Sequence, residues 1–324
     1  MCRYGTLQPF GADWESVVGV KLTFLGTSAG APTRKRNVSA LSLVPENSKG
    51  WLLFDCGEAT QHRLMQSSLS LYRLQSIFIT HLHGDHIYGI FGLLASRGMM
   101  DARTPLKIYG PAGLQEMIES VRRYSRLELP FELKYRILEG GERMEFDTFT
   151  IESIKLSHSI ETLGYVYTER AKPGRFDIER ASREKIPRGP LYGALQRGED
   201  IVLPDGREFR ASDFTGAPRE GKRIVIGGDN DSPELFEAFA DVDLMIHEAT
   251  YTQKDFDSLP KKFLHSTARR VAISAQRMGA KSLILTHISP RYDSEERVRE
   301  LIREAEAHYD GELKVAYDLM SVEL

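Results

Sequence analysis

The densest chemistry in the chain is Thr80-His81-Leu82-His83-Gly84-Asp85-His86. Three imidazoles and a carboxylate so close together are a poor recipe for packing, because crowded imidazoles repel when protonated and need partners when buried. A metal ion supplies that partner. His81 and His83, two apart in an extended segment, can aim at one ion, while Asp85 and His86, beyond the Gly84 turn, can aim at a second. The competing reading is a polar loop that opens a helix with Asp85 as its cap.

One cluster cannot complete two coordination shells, so further donors are expected at the ends of other strands. His158 follows the run Ile151-Glu-Ser-Ile-Lys-Leu156, Asp229 follows Arg223-Ile-Val-Ile-Gly-Gly228, and His287 follows Ser282-Leu-Ile-Leu-Thr286. Each is a nitrogen or oxygen donor that zinc accepts, at the kind of position where α/β sheets present their ligand-binding loops. Taken singly, each is equally an ordinary surface histidine or a turn-forming aspartate. Their conjunction with the cluster is what points to a metal centre.

These donors need a scaffold, and short apolar runs rich in β-branched and aromatic residues supply one. Strands are expected over 21–25, 51–54, 76–80, 106–109, 148–156, 164–168, 223–226, 244–247, 282–286 and 313–317. Apolar residues three and four apart predict helices near 59–68, 86–98, 112–124, 232–240, 266–278 and 294–308. Adjacent strands occur as well as strand–helix alternation. The expected class is therefore α/β, with two mixed sheets packed together and flanked by helices, rather than one doubly wound sheet. Residues 171–222 break the rhythm: they are rich in Gly and Pro and carry 11 Lys+Arg against 9 Asp+Glu. A structureless loop of that length is improbable inside a compact domain, so an inserted arm or hairpin is expected.

Composition excludes several classes. With 324 residues, 41% hydrophobic and 27% charged, the chain can bury a sizeable core, and no apolar run approaches the roughly 18 residues that span a bilayer. A formal net charge of −3 offers no global field for nucleic acid, so a polyanion would have to be met locally. Two cysteines, Cys2 and Cys56, argue against a disulfide framework and for a reducing cytoplasm. Residues 1–19 lack the basic start and apolar stretch of a signal peptide and read as a loose N-terminal extension.

The chain from about Val20 onward resembles the metallo-β-lactamase superfamily and, within it, the ribonuclease Z family of tRNA 3′-end endonucleases. The resemblance rests on Phe24-Leu-Gly-Thr-Ser-Ala-Gly30, Pro32-Thr-Arg-Lys-Arg-Asn37, Leu53-Phe-Asp-Cys-Gly-Glu58, the histidine cluster, His247-Glu-Ala-Thr250, His265-Ser-Thr267 and Leu285-Thr-His-Ile-Ser-Pro-Arg-Tyr292. It implies an αββα sandwich over 20–324. It implies one zinc on His81, His83 and His158, another on Asp85, His86 and His287, and Asp229 between them. It also implies that 171–222 is an exosite gripping precursor tRNA, usually in a homodimer. One departure stands out: where the family usually has Gly-Asp-Thr, this chain has Gly228-Asp229-Asn230.

Paired divalent ions suit phosphodiester hydrolysis. Within that reading Asp85 is expected to orient or deprotonate the attacking water. His265, outside the ligand set, is the candidate general acid that protonates the departing ribose 3′-oxygen, leaving a tRNA 3′-hydroxyl and a trailer 5′-phosphate. Arg34 and Arg36, on the loop after the first strand, and Arg291, just past His287, are the candidate phosphate contacts. Manganese, cobalt or iron are possible substitutes for zinc at such a mixed His/Asp site. The Gly26–Gly30 turn lacks the Gly-Lys-Ser/Thr ending of a phosphate loop, so no nucleotide cofactor is expected. The competing functions are a phosphodiesterase or sulfatase acting on small esters, and an RNA-binding protein with structural metals.

Overall fold

The computed structural model describes residues 19–172 and 174–324, so the expected N-terminal extension, Gly19 apart, lies outside the described residues. The strands are β1 (Lys21–Gly26), β2 (Ala40–Val44), β3 (Trp51–Phe54), β4 (Leu74–Phe78), β5 (Leu106–Gly110), β6 (Leu133–Ile137), β7 (Arg143–Glu145), β8 (Phe149–Leu156), β9 (Thr162–Glu169), β10 (Ile201–Val202), β11 (Glu208–Phe209), β12 (Arg223–Ile226), β13 (Leu244–Glu248), β14 (Ser282–Thr286), β15 (Glu312–Val315) and β16 (Ser321–Glu323). One sheet runs β16-β1-β2-β3-β4-β5-β6 and the other β15-β14-β13-β12-β9-β8-β7. Each has an antiparallel half and a parallel half. In the first sheet β3 to β6 are parallel neighbours, and in the second β12 to β15 are.

Alternation along the strands explains why the sheets stack. Side chains two apart share a face. Leu52 and Phe54 of β3, Ile224 and Ile226 of β12, and Leu244 and Ile246 of β13 all enter one buried cluster between the sheets. Their neighbours turn outward: Leu53 packs under the helices of the first sheet, and Val225 and Met245 under those of the second. The helices are, in chain order, α1 (Thr60–Leu64), α2 (Gly84–Ile87), α3 (Ile90–Met99), α4 (Leu114–Ser125), α5 (Ile178–Arg183) and α6 (Pro190–Gln196), the last two within the insertion, then α7 (Gln253–Asp257), α8 (Ala268–Met278) and α9 (Glu295–Glu306). Leu93, Leu94 and Ile118 of α3 and α4 cover the first sheet, and Val271, Ala275 and Leu301 of α8 and α9 cover the second. The result is the expected αββα sandwich.

Several boundaries differ from expectation for local reasons. The strand expected over 76–80 stops at Phe78, because the Thr80 N–H is taken by the Asp55 side chain (2.7 Å) rather than by a neighbouring strand. The helix expected over 86–98 breaks between α2 and α3, at Tyr88 and Gly89. The helix expected over 232–240 is only a 3-10 turn, Pro233–Phe236. Strands β2, β6, β7 and β16 carry too little alternation, or are too short, to be read from the sequence.

Residues 171–222 join β9 to β12, which are antiparallel neighbours, so the insertion is an enlarged hairpin connection. Bridges Lys172–Arg219 and Phe176–Thr215 close its base. Beyond them α5, α6 and the β10–β11 pair enclose a separate small core that includes Phe176, Ile186, Leu195, Leu203 and Phe214. Helices of six and seven residues give no readable period, which is why the composition resembled a loop.

Between the sheets, Phe78 stacks on Phe54 (ring centroids 5.0 Å apart) and Tyr109 (4.6 Å), with the Tyr165 ring edge-on at 5.3 Å. Phe78→Ala is expected to cost about 3–5 kcal/mol of unfolding free energy in urea titrations, and a loss below about 1 kcal/mol would contradict this column as a main contact between the sheets.

Candidate metal centre

The residues that follow β3, β4, β8, β12 and β14, together with the end of β13, converge on one rim of the sandwich. The ligand atoms of His81, His83, His158 and Asp229 lie within 4.8 Å of one another, and so do those of Asp85, His86 and His287. In the first group His83 Nδ1 is 3.0 Å from His81 Nε2 and 3.4 Å from His158 Nε2, and Asp229 Oδ2 is 3.8 Å from both of those Nε2 atoms. In the second group His86 Nε2 and His287 Nε2 are 3.3 Å apart. Asp85 Oδ2 is 3.5 and 3.4 Å from them, and Asp229 Oδ1 is 3.3 Å from each. Asp229 thus turns one carboxylate oxygen to each group.

These distances fit a cation. Ligands held tetrahedrally at about 2.0–2.1 Å from zinc are themselves about 3.3 Å apart. Asp229 Oδ1 is buried and, among the described residues, accepts no hydrogen bond, although two imidazole nitrogens stand beside it. A buried carboxylate oxygen in that condition is costly unless something else satisfies it.

The outer nitrogens of the rings are committed elsewhere. His81 Nδ1 donates to Thr80 Oγ1 (3.0 Å), His86 Nδ1 to Asp55 Oδ2 (2.7 Å), His158 Nδ1 to Leu264 O (2.8 Å) and His287 Nδ1 to Thr250 Oγ1 (3.1 Å). With Nδ1 carrying the proton, each Nε2 lone pair faces inward, which is the tautomer a metal needs. Asp55 sits in the left-handed region (φ 59°) and also accepts from Thr80 N and Thr80 Oγ1, so a single carboxylate orients donors of both groups. Gly30, at φ 70°, presents its N–H to Asp85 Oδ2 (2.8 Å) from the loop after β1.

The electrostatics agree. Burial and neighbouring imidazoles hold His81 and His83 below the usual histidine range, hence neutral. Burial pushes the Asp229 and Asp85 carboxyls up, but the adjacent histidines outweigh it and keep both well below their usual values. His86 goes the other way: burial lowers it, and Asp229 and Asp55 on either side pull it well up. The carboxylates demand a positive charge there, which a divalent cation supplies as well as a proton does.

His265 stands beside this centre with Nδ1 donating to both oxygens of Glu248 (3.0 and 3.1 Å). Burial lowers its pKa, but Glu248 outweighs that and pushes it up to about 9. His265 also lies with Asp229 and His287, their ligand atoms within 4.8 Å of one another, but its Nδ1 is engaged by Glu248. Thr267 caps α8 and Ser266 Oγ donates to Asn230 O (2.6 Å), so the His265 segment is tied to the Asp229 loop.

Sequence reasoning overlooked Glu248 and Thr250. Glu248, almost wholly buried, also accepts from Asn230 N (2.7 Å) and Thr250 Oγ1 (2.5 Å), linking His265, His287 and the Asp229 loop. The available signal was a carboxylate closing an apolar strand. Asn230, the departure from the family pattern, is buried too: Oδ1 accepts from Ser157 N (3.2 Å) and Nδ2 bonds His247 Nε2 (3.2 Å). His247 is thereby a core residue.

Of the expected phosphate contacts, Arg34 and Arg291 are exposed. Arg36 is a correction. Its guanidinium is buried, with Nη1 donating to Thr27 Oγ1 (2.7 Å) and Ala316 O (2.5 Å), so it braces the loop from beneath and cannot meet a phosphate. Because Asp55 orients donors of both groups, Asp55→Asn is expected to weaken zinc uptake on the order of 10–100-fold in competition with a chelator. Loading at the parental zinc concentration would contradict that role.

Comparison with known proteins agrees with the geometry. A family model described as Anti-Pycsar protein Apyc1 matches residues 20–168. Over 309 residues the chain is 43% identical to ribonuclease Z of Acaryochloris marina, covering 94% of this chain and 98% of that one. Over 306 residues it is 41% identical to ribonuclease Z of Brevibacillus brevis, covering 93% and 96%. The crystal structure of human tRNase Z, short form, superposes with a TM-score of 0.64 at 28% identity, covering 94% and 98%. The metallo-β-lactamase fold protein YhfI of Bacillus subtilis superposes at 0.66 with 19% identity, covering 94% and 100%, a likeness of fold alone. With two sheets, a His/Asp rim and full-length kinship all in agreement, this chain belongs to the ribonuclease Z family of the metallo-β-lactamase fold.

Proposed function

We propose that the protein is a zinc-dependent endoribonuclease that removes the 3′ trailer from precursor tRNA in the cytoplasm. The observation that carries this reading is the convergence of two donor groups on the two oxygens of Asp229, in a chain of this family. His81, His83 and His158 would hold one ion and Asp85, His86 and His287 the other, with Asp229 common to both. What a pair of divalent ions would supply there is a water activated at neutral pH and stabilisation of charge on the phosphate oxygens.

The chain's own groups do the rest. Asp85 is fixed through Oδ2, while Oδ1 has no hydrogen-bond partner among the described residues and is left to orient the attacking water or take its proton. His265, held protonated by Glu248, keeps Nε2 for the departing 3′-oxygen; this leaves a tRNA 3′-hydroxyl and a 5′-phosphate on the trailer. Arg34 and Arg291 stand exposed to meet the RNA backbone. The folded insertion 171–222, with exposed Arg183, Lys185 and Arg188, is the tRNA-binding arm of a 20–324 catalytic body, and a homodimer would set one subunit's arm beside the other's centre.

The Lys172–Arg219 bridge allows the arm to be replaced by a short turn without disturbing β9 and β12. The variant is expected to lose more than about tenfold in precursor tRNA cleavage, since the phosphate contacts go with the arm, yet still hydrolyse a small chromogenic diester. Mapping both product ends checks the chemistry. Equal loss of both activities would count against an exosite, and an intact protein that cuts the diester but never the precursor would favour a small-ester phosphodiesterase.

A further inference from the structure

We propose that Phe263, with Lys261 and Lys262, forms a stacking platform for the last unpaired base on the tRNA side of the cut; this rests on the endoribonuclease reading above. The segment from Lys261 to Leu264 is exposed, and Phe263 and Leu264 show 48% and 41% of their surface to solvent. Side by side, the two set a small apolar face at the rim of a polar centre, beside His158 and His265.

The loop is pinned where it stands. Leu264 O accepts from His158 Nδ1 (2.8 Å), His265 N donates to Phe263 O (2.9 Å), and Lys262 Nζ donates to Phe256 O. The ring is therefore presented two residues from the proposed general acid, on a backbone fixed by one of the metal-binding histidines.

Its surroundings have a recognisable chemistry. Lys261 Nζ lies over the Phe263 ring (5.6 Å), Lys262 Nζ over Phe256 (4.8 Å), and the Arg291 guanidinium over Tyr251 (4.9 Å), whose ring is 6.4 Å from that of His265. Aromatic faces alternating with cations beside an active site are what a single-stranded nucleic acid needs: bases stack on the rings and phosphates meet the cations, with little regard for sequence. The polarity follows from His265. A general acid stands next to the departing 3′-oxygen, so the neighbouring ring takes the nucleotide that carries that oxygen.

The test compares precursor tRNA with a substrate whose last tRNA nucleotide before the cut is abasic, using wild type, Phe263→Ala, Phe263→Leu and Phe263→Trp. Stacking of one base predicts that Phe263→Ala loses on the order of tenfold in kcat/KM, mostly through KM, that Leu behaves like Ala, and that Trp restores the wild-type value. The abasic substrate should cost the wild type a similar factor and add almost nothing to the loss in Phe263→Ala. Unimpaired cleavage by Phe263→Ala, an abasic penalty that persists in full in that variant, or rescue by Leu as complete as by Trp would overturn the platform. So would a change of oligomeric state on sedimentation of Phe263→Ala, which would make the ring a subunit contact. A wild-type protein that leaves precursor tRNA whole overturns the endoribonuclease reading and the platform together; one that cuts it normally while Phe263→Ala does so too overturns the platform alone.

Discussion

Three buried carboxylates, Asp55, Asp229 and Glu248, and the partly buried Asp85 are gathered at one rim of the sandwich, and that negative charge is the constraint around which the site is built. Burying charge without a partner costs several kcal/mol per group. Each carboxylate therefore faces imidazoles, hydroxyls or backbone N–H groups, and the one left short of hydrogen bonds, Asp229 at Oδ1, is the one shared by both donor groups. A metal cofactor would resolve the imbalance, which is why the geometry reads as a metal centre rather than as a polar core.

The fold delivers these groups by a repeated device. Each sheet changes from antiparallel to parallel partway across, and the C-terminal ends of β3 and β4 on one side and of β12, β13 and β14 on the other carry Asp55, His81, Asp229, Glu248 and His287 or lead directly into them. Rigid strands in a packed interior fix the starting points, and short loops finish the job. The Gly30 N–H on Asp85 and the Ser266 hydroxyl on Asn230 O tie neighbouring loops to the same rim, so the site is braced from several elements at once.

Much of this was legible beforehand because the signals were local. Strands β3, β12 and β14 announced themselves as compact apolar runs, and the His81–His86 cluster is too dense for any ordinary surface. The second layer was harder. Glu248 and Thr250 matter through hydrogen bonds to His265 and His287, which lie far along the chain, and no periodicity encodes such a pairing. Arg36 misled for a related reason: charge density in Arg34-Lys35-Arg36 says nothing about which side chain turns inward to Ala316 O. The insertion resembled a loop because its short helices derive their stability from a small core assembled across some forty residues, not from an amphipathic stripe of their own.

The central claim is that the two donor groups hold two ions with Asp229 between them. Elemental analysis of the zinc-loaded protein, combined with anomalous diffraction from its crystals, tests it most directly. The account predicts two zinc ions per chain, one among His81, His83 and His158 and one among Asp85, His86 and His287, each contacting a different oxygen of Asp229. A single ion, zinc bound elsewhere, or an Asp229 that touches neither ion would contradict it.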